Sequence, residues 1–440
     1  MKNRIVRILF VFLTAFTVLC SSSCGSSQND ENRVKDSDNL LASVQKSSNA
    51  PIYNFRETTS QPEEYTAYSG KCCELALNML MSDNYYKENT AYAPLSVSLT
   101  LSAFENGASH KSLSEIKNLV GKPNYSTDAV NKCSSYISQR TQFLNSEDAG
   151  VFNICSMWVS DKLSPKRSFL QKYDNFYSIY AYSTDFSKSN VNTIISNLMA
   201  DNSKSLLPVG DITTRSDYRL YMDCSAAVSD VWLTPYTENS IRKGKFEAYG
   251  GKNTDASYIE SLERAFETTS AKGFVKDLKN TPCKMVFILP NSNQSLEDYV
   301  KSLTYDKLVS MPESVSATEF SKVSIPEFSV SKNASLKNTL GKLGVKSIFS
   351  EEADISKGFS ENVYVDDITQ SVSITVNHNG ISADKSISAD KSNSAGNGGS
   401  ENKVQPQAKD NIVFDRPFIY AVVDNESYIP IIIGTVTNPQ

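Results

Sequence analysis

Histidine, metal-binding motifs and phosphate-binding motifs are what this 440-residue sequence lacks most clearly. It holds two histidines, His110 and His378, which leaves little material for catalytic triads, Cys–His pairs or zinc sites. The glycine patterns of hydrolase elbows and phosphate loops are missing as well. We therefore predict that the protein is not an enzyme and uses no cofactor and no metal.

Positive charge is also sparse. The chain has 44 Lys and Arg against 49 Asp and Glu, with a formal net charge of -5. No long basic run occurs after the first residues, whereas nucleic-acid binding needs a basic patch. Nucleic acid is therefore not expected as a partner.

Cysteines with the spacing of metal ligands are absent. None of the cysteines beyond residue 24 forms a CxxC pair, and the adjacent Cys72 and Cys73 begin an amphipathic stretch. Buried free thiols are expected rather than a disulfide framework. The cysteines concerned are Cys72, Cys73, Cys133, Cys155, Cys224 and Cys283.

Residues 1–24 have the order of an export signal. Basic residues precede an apolar run from Ile8 to Leu19, which is too short to span a bilayer comfortably. Three serines then lead to Cys24, as at the cleavage site of bacterial lipoproteins. We predict export, with lipid on Cys24 as a membrane anchor at the cell surface; the alternatives are plain secretion to the outside and a buried N-terminal helix.

A polar stretch of low periodicity follows at residues 25–66 and predicts a disordered tether. Residues 67–440 are then expected to form one folded domain. We expect this domain to be a monomer.

Two blocks of that domain carry ordered motifs that match a known family. The first follows Lys71, where apolar residues at helical spacing lead into a second helix that begins at Pro94. Matches in the first block are Asn89, Pro94, Leu95, Ser96, Gly107, Ala108, Glu115 and Ile116. Matches in the C-terminal block include Ile325, Pro326, Glu327, Phe328, Gly344, Asp354, Asn377, Gly380, Phe414, Arg416, Pro417, Gly434 and Pro439. The order of these residues in the two blocks resembles the serpin family. Between the blocks the pattern weakens: Trp232 is kept, but Cys224, Ser225, Val228 and Asp230 replace residues usual in the family.

This resemblance implies an α+β serpin fold with three β-sheets, about eight or nine helices and an exposed reactive-centre loop. It implies a serine protease inhibitor: the target protease cleaves the loop, and the freed loop inserts into the central sheet before the acyl-enzyme is hydrolysed. The expected partner is a serine protease or a papain-like cysteine protease. A non-inhibitory binding or scaffold protein and a decoy substrate are the alternatives.

The resemblance places the loop at residues 380–413. Residues 381–386 repeat as 387–392 and run into a Gly/Ser/Asn tract, so a plain low-complexity insertion is a further alternative. The hinge is assigned to Gly380, Ile381, Ser382 and Ala383. If Ile381 faces the core in an inserted strand, strand alternation also turns Lys385 and Lys391 inward, where an unpaired ammonium is costly.

The cleaved bond has three candidates. For a trypsin-like protease, the bond between Lys391 and Ser392 is favoured over the bond between Lys403 and Val404, because the shorter tether stays taut. For another specificity, counting along the loop as in the family gives the bond between Ser394 and Ala395.

Overall fold

The computed structural model of the chain describes residues 30–57, 59–82, 85–147, 149–207, 212–316, 319–382 and 408–440. In these ranges the helices and strands form a body of three β-sheets with α-helices around them. The combination confirms the expected α+β fold with three sheets.

Nine α-helices lie in the described ranges. Several begin at the residue types that favour helix N-termini; for example, Ser126, Ser295 and Thr304 each accept a hydrogen bond from a backbone N–H three residues later. The helices are α1 (Tyr65–Met81), α2 (Pro94–Glu105), α3 (His110–Val120), α4 (Thr127–Gln142), α5 (Arg167–Phe176), α6 (Val191–Asn202), α7 (Leu296–Ser302), α8 (Tyr305–Glu313) and α9 (Lys337–Lys342).

The described strands are β1 (Thr90–Tyr92), β2 (Gly150–Ser160), β3 (Ile179–Thr184), β4 (Leu220–Val231), β5 (Ile241–Ala248), β6 (Lys252–Glu263), β7 (Ala265–Glu267), β8 (Ala271–Asp277), β9 (Cys283–Pro290), β10 (Phe320–Pro326), β11 (Phe328–Ser335), β12 (Asp367–Val376), β13 (Gly380–Ser382), β14 (Ala408–Val413), β15 (Phe418–Asp424) and β16 (Pro430–Val436). One sheet has the order β1-β16-β15-β9-β8-β7 and a second has β14-β10-β6-β5. The third, which we call the central sheet, has the order β11-β12-β13-β4-β2-β3.

The two faces of the central sheet have different neighbours. Successive side chains of a strand point to opposite faces, so Met222 on β4 joins the main core while its neighbour Tyr221 joins a smaller cluster with apolar residues of α6. We call the side toward α6 the front face. Almost all of β4 is buried between the two layers.

All six cysteines beyond residue 24 are buried and free. The expectation of buried thiols is confirmed for these positions.

The N-terminal segment differs from its predicted form. Instead of a disordered tether, residues 30–57 lie along the body: Asn39 bridges to Tyr182 on β3, and the side chain of Val44 is buried in the main core. Tyr53 packs edge-on against Tyr136, with ring centroids 5.1 Å apart. The apolar residues responsible are irregularly spaced, so they produce no helix or strand period, yet they still cover apolar surface of the body. The first long helix also begins slightly earlier than the predicted domain boundary, at Tyr65.

Candidate functional site

The candidate site is the end of the central sheet where the chain turns from β12 into β13. The turn is closed by a hydrogen bond from Asn377 N to Gly380 O at 3.0 Å. The side-chain oxygen of Asn377 accepts from the backbone N–H groups of Asn379 (2.8 Å) and Gly380 (3.2 Å). Asparagine is suited to such a turn because its side chain can hydrogen-bond the backbone two residues on.

The short strand β13 enters the sheet between β12 and β4. Ile381 lies opposite Val376 of β12 and Asp230 of β4, and both pairings are antiparallel. β13 thus forms a wedge between these two strands. Away from the wedge, β12 and β4 pair directly and in parallel, from Ser373 beside Ala227 to Asp367 beside Tyr221. The central sheet is therefore open between β4 and β12 at one end and closed along the rest of that seam.

Three of the four predicted hinge residues form this wedge. A Cβ atom on Gly380 would overlap the backbone of Asp230 and Val231, so glycine is required by close approach rather than by an unusual backbone angle. Ile381 is fully buried and belongs to the same apolar cluster as Val376. Ser382 is buried as well, whereas the fourth predicted residue, Ala383, lies outside the described residues.

Trp232, the residue that kept the family pattern, holds the turn in place. Its indole Nε1 donates to Asn377 O at 2.9 Å, and its backbone N donates to Asn379 O at 3.3 Å. The side chain is almost fully buried. Trp232 thereby fixes the position at which the chain re-enters the sheet.

Asp230 has a structural role that the sequence did not indicate. Its buried carboxylate accepts hydrogen bonds from the backbone N–H groups of Asn280 (3.0 Å) and Thr281 (2.8 Å), and from the Thr281 hydroxyl (2.8 Å). These contacts tie the end of β4 to the turn before β9. They could not be read from the sequence because the partners are 50 residues apart.

A second pair missed by sequence reasoning joins His378 to Glu327. Glu327 occupies the break between β10 and β11, and its Oε1 lies 2.8 Å from His378 Nδ1. Both side chains are about one-quarter exposed. The pair fastens the start of the turn to the neighbouring strands.

The C-terminal end of the predicted loop is also held in a sheet. β14 pairs in parallel with β10, with Ile412 beside Val323, and Phe414 N donates to Ser324 O at 2.9 Å. The interval predicted as a loop, residues 380–413, is therefore strand at both ends. The candidate cleavage residues lie between those ends and outside the described residues, as does Cys24; they are Lys391, Ser392, Ser394, Ala395, Lys403 and Val404.

The described ranges contain neither a membrane-spanning helix nor a metal-binding cluster. No helix there has the length and apolar character needed to cross a membrane. No group of His, Cys, Asp and Glu there is arranged to hold a metal ion.

Comparison with known proteins gives a consistent assignment. The family model described as Serpin (serine protease inhibitor) matches residues 72–439. Serpin-ZX of Arabidopsis thaliana is 25% identical over 381 residues, covering 80% of this chain and 92% of the relative. An uncharacterized serpin-like protein of Methanosarcina acetivorans is 22% identical, covering 80% and 82%.

Solved structures agree in fold. The native state of the thermophilic serpin tengpin matches with a TM-score of 0.78 and 25% identity, over 91% of this chain and 99% of that one. Human thyroxine-binding globulin in complex with its ligand matches with a TM-score of 0.73 and 15% identity, over 86% and 99%.

Proposed function

The chain belongs to the serpin family, whose model matches residues 72–439, and on that premise we propose that it inhibits serine proteases by loop cleavage and insertion. Insertion would fill the seam between β4 and β12. The observation that carries the proposal is β13, because the first three residues of the loop already pair with both strands that an inserted loop would separate.

The proposed reaction begins with attack by the serine hydroxyl of the protease on a loop carbonyl carbon. The peptide C–N bond breaks, the amine leaves with a proton, and the protease remains esterified to the new loop end. Insertion of the freed loop would then drag the protease along the sheet before water can hydrolyse the ester. A papain-like protease would form a thioester by the same steps.

The register of β13 indicates how far an inserted loop would reach. Each residue along the loop pairs one residue further back on β4, so twelve loop residues starting at Gly380 would match the twelve residues of β4. The twelfth is Lys391, which would lie opposite Leu220 at the far end of the strand. This agreement in length supports the bond between Lys391 and Ser392 as the proposed cleavage site, ahead of the bonds after Ser394 and Lys403.

The same register would give the two inward lysines, Lys385 and Lys391, different surroundings in the sheet. Ten residues past Ile381, Lys391 would meet Asp366, which lies ten residues before Val376 and is only half-buried. Four residues past Ile381, Lys385 would lie between Ala226 and Val372, which are both fully buried and apolar. An unpaired ammonium there costs several kcal/mol, which would slow insertion.

Slow insertion supports the second candidate function, a decoy substrate or non-inhibitory binding protein. A serpin whose loop enters the sheet more slowly than water hydrolyses the acyl-enzyme is cleaved without trapping the protease. Lys385 is the specific feature that favours this alternative.

We further propose that lipid on Cys24 holds the body close to a membrane. The segment from residue 30 onward lies on the body. Asn190, which directly precedes α6, donates to the carbonyl of Glu31, and Asn197 of α6 donates to the carbonyl of Asn32. Only residues 25–29 would remain as a linker, which spans at most about 20 Å. Metabolic labelling with palmitate tests this: wild-type protein should take up label, and Cys24→Ser should be unlabelled and released into the medium.

The inhibitor proposal is tested with proteases of different specificity. The protein is incubated with trypsin, elastase, subtilisin and papain, and the products are separated on denaturing gels. A stable adduct with the summed mass supports inhibition, while complete loop cleavage with full protease activity contradicts it.

Two matched variants locate the bond cut by trypsin. Lys391→Ala should abolish the adduct with trypsin, while Lys403→Ala should leave it intact. The reverse result would assign the bond to Lys403.

A further inference from the structure

A polar cluster crosses the closed part of the seam between β4 and β12, on the front face of the central sheet. Thr369 of β12 donates its hydroxyl to Asp223 Oδ1 at 3.2 Å, and Ser225 donates to the same oxygen at 3.0 Å. Ser371 N of β12 donates to Ser225 Oγ at 2.7 Å. The side chains of Asp223 and Ser225 on β4 are therefore bonded to β12, through the Thr369 hydroxyl and the Ser371 backbone N–H. These bonds join the two strands that separate when the seam opens.

Asp223 is the one carboxyl in this cluster, and it is fully buried. Its second oxygen, Oδ2, has no hydrogen-bond partner. Burial raises the pKa of Asp223 to about 7, against the lowering influence of the Ser225 and Thr369 hydrogen bonds. A charged form of this carboxyl is therefore held in a poorly compensated place.

The elements around Asp223 supply little charge. On β2 the residue opposite is Ser156, whose hydroxyl accepts from Trp158 Nε1. From α6, apolar side chains join the cluster on this face; they are Val191, Ile195, Leu198 and Met199. The sulfurs of Cys155 and Cys224 belong to the core on the opposite face.

The other titratable groups on the front face are tyrosines and a second carboxyl. Tyr180, Tyr182 and Tyr218 belong to the apolar cluster around α6, while Tyr221 and Asp367 adjoin the seam. The hydroxyl of Tyr221 bonds to Thr369, and burial raises the pKa of that tyrosine well above its usual range. Asp367 on β12 accepts from the Ser335 hydroxyl at 2.6 Å, and burial raises its pKa as well. Neither group can balance a negative charge on Asp223.

An open cavity borders the β12 side of the cluster. A trough of about 500 Å³ lies over β11 and β12 on the front face, and Thr369 and Ser371 line it together with Thr213. A proton can therefore be exchanged with solvent near the seam without unfolding the sheet.

We propose that Asp223 is a proton-controlled latch on the seam between β4 and β12, which holds the seam closed when the carboxyl is protonated and lets it open when the carboxyl ionises. An ionised Asp223 in the closed seam keeps one oxygen unpartnered, whereas an open seam admits water to it. Any consequence for protease inhibition rests on the proposed function, because an inserting loop would use this seam. The latch itself does not depend on the proposed function.

The direction with pH follows from the raised pKa. A carboxyl whose pKa is higher in the closed state than in water stabilises the closed state fully below its usual pKa. That stabilisation is lost as the pH rises from about 4 through about 7. The seam should therefore open more readily at pH 8.5 than at pH 5.5.

Hydrogen–deuterium exchange of the full chain tests the latch without any protease. The exchange rate of β12 amides in the wild type is divided by the rate in Asp223→Asn at the same pH, which cancels the chemical dependence of exchange on pH. We expect this ratio to rise about thirtyfold between pH 5.5 and 8.5, as for a carboxyl whose pKa falls from about 7 to about 4 on opening. A ratio that does not change overturns the proposal.

A control variant and a wild-type measurement complete the test. Asp174→Asn removes another carboxyl with an unpartnered oxygen, on α5 and away from the seam. The wild-type exchange rate of the β12 amides divided by their rate in Asp174→Asn should not change with pH. In the wild type, the labelling rate of Cys224, whose sulfur bonds to Thr369 O across the seam, divided by that of Cys283 on β9 should also rise with pH. A constant labelling ratio overturns the latch even if Asp223→Asn does not fold, and neither readout depends on whether the chain inhibits a protease.

Discussion

Glu327 Oε1 accepts two hydrogen bonds from His378, one from the backbone N at 3.1 Å and one from the ring Nδ1 at 2.8 Å. The two residues lie 51 positions apart and meet where β12 ends and the turn to the hinge begins. The pair therefore couples the start of the loop to the strands beside it.

Removing this pair should loosen the hinge. We expect Glu327→Ala to lower the free energy of unfolding by about 1 kcal/mol, because two partly exposed hydrogen bonds to a carboxylate are lost. Thermal melting measures the effect. The matched control is Glu297→Ala, which breaks the more exposed ion pair with Lys301 and should change stability by less than about 0.5 kcal/mol; equal losses would contradict a special role for the hinge pair.

Gly380→Ala should displace β13 from the sheet. The new methyl group would overlap the backbone of Asp230, so we expect a loss of about 1–3 kcal/mol, as for overpacked sites. The control is Gly341→Ala on α9, where a Cβ has open space and alanine favours the helix by up to about 1 kcal/mol. Melting curves that show no difference between the two variants would place Gly380 outside the sheet.

The N-terminal segment offers a third prediction. Val44→Asp should lower the free energy of unfolding by about 2 kcal/mol, because a carboxylate would replace a side chain that is 6% exposed in the main core. Ile52→Asp is the control in the same segment, since Ile52 is 84% exposed and should have almost no effect. A neutral Val44→Asp would indicate that residues 30–57 do not dock on the body in solution.

Much of the fold could be predicted from the sequence, because the ordered motifs of the first and last blocks carry local signals. Pro94 opens α2, and Gly380 marks the turn back into the central sheet. Pro94 acts through local backbone geometry, which depends mainly on the residue itself and its neighbours. Gly380 is recognisable as a glycine in an ordered motif, but it is needed because the backbone of Asp230 comes close to it.

The partners of the site could not be predicted in the same way. Asp230 and Glu327 act on residues about 50 positions away, and Asp223 matters only because folding places it on a seam. The prediction of a disordered tether at residues 25–66 was wrong over residues 30–57. This segment is polar in composition, but a few of its apolar side chains each pack against the body. Such contacts have no period in the sequence.

Lys385→Ala should make insertion faster. The substitution removes an ammonium that the register would bury between Ala226 and Val372, and it leaves the alternation of the strand unchanged. We expect the ratio of trapped to merely cleaved trypsin to rise by about tenfold or more, since each 1.4 kcal/mol taken from the barrier changes a rate tenfold. Lys403→Ala is the control, because it removes the same charge beyond the twelve residues that would enter the sheet, and it should leave the ratio within about twofold; a rise of the same size there would contradict the assigned register.

The most direct test of the central claim is the melting temperature of the protein before and after a single cut within residues 383–407. Insertion between β4 and β12 would add about ten backbone hydrogen bonds at ~1 kcal/mol each, and for a chain of this size each kcal/mol raises the melting temperature by about 2 °C. We predict a rise of about 20 °C on cleavage. An unchanged or lower melting temperature would show that the loop does not enter the sheet.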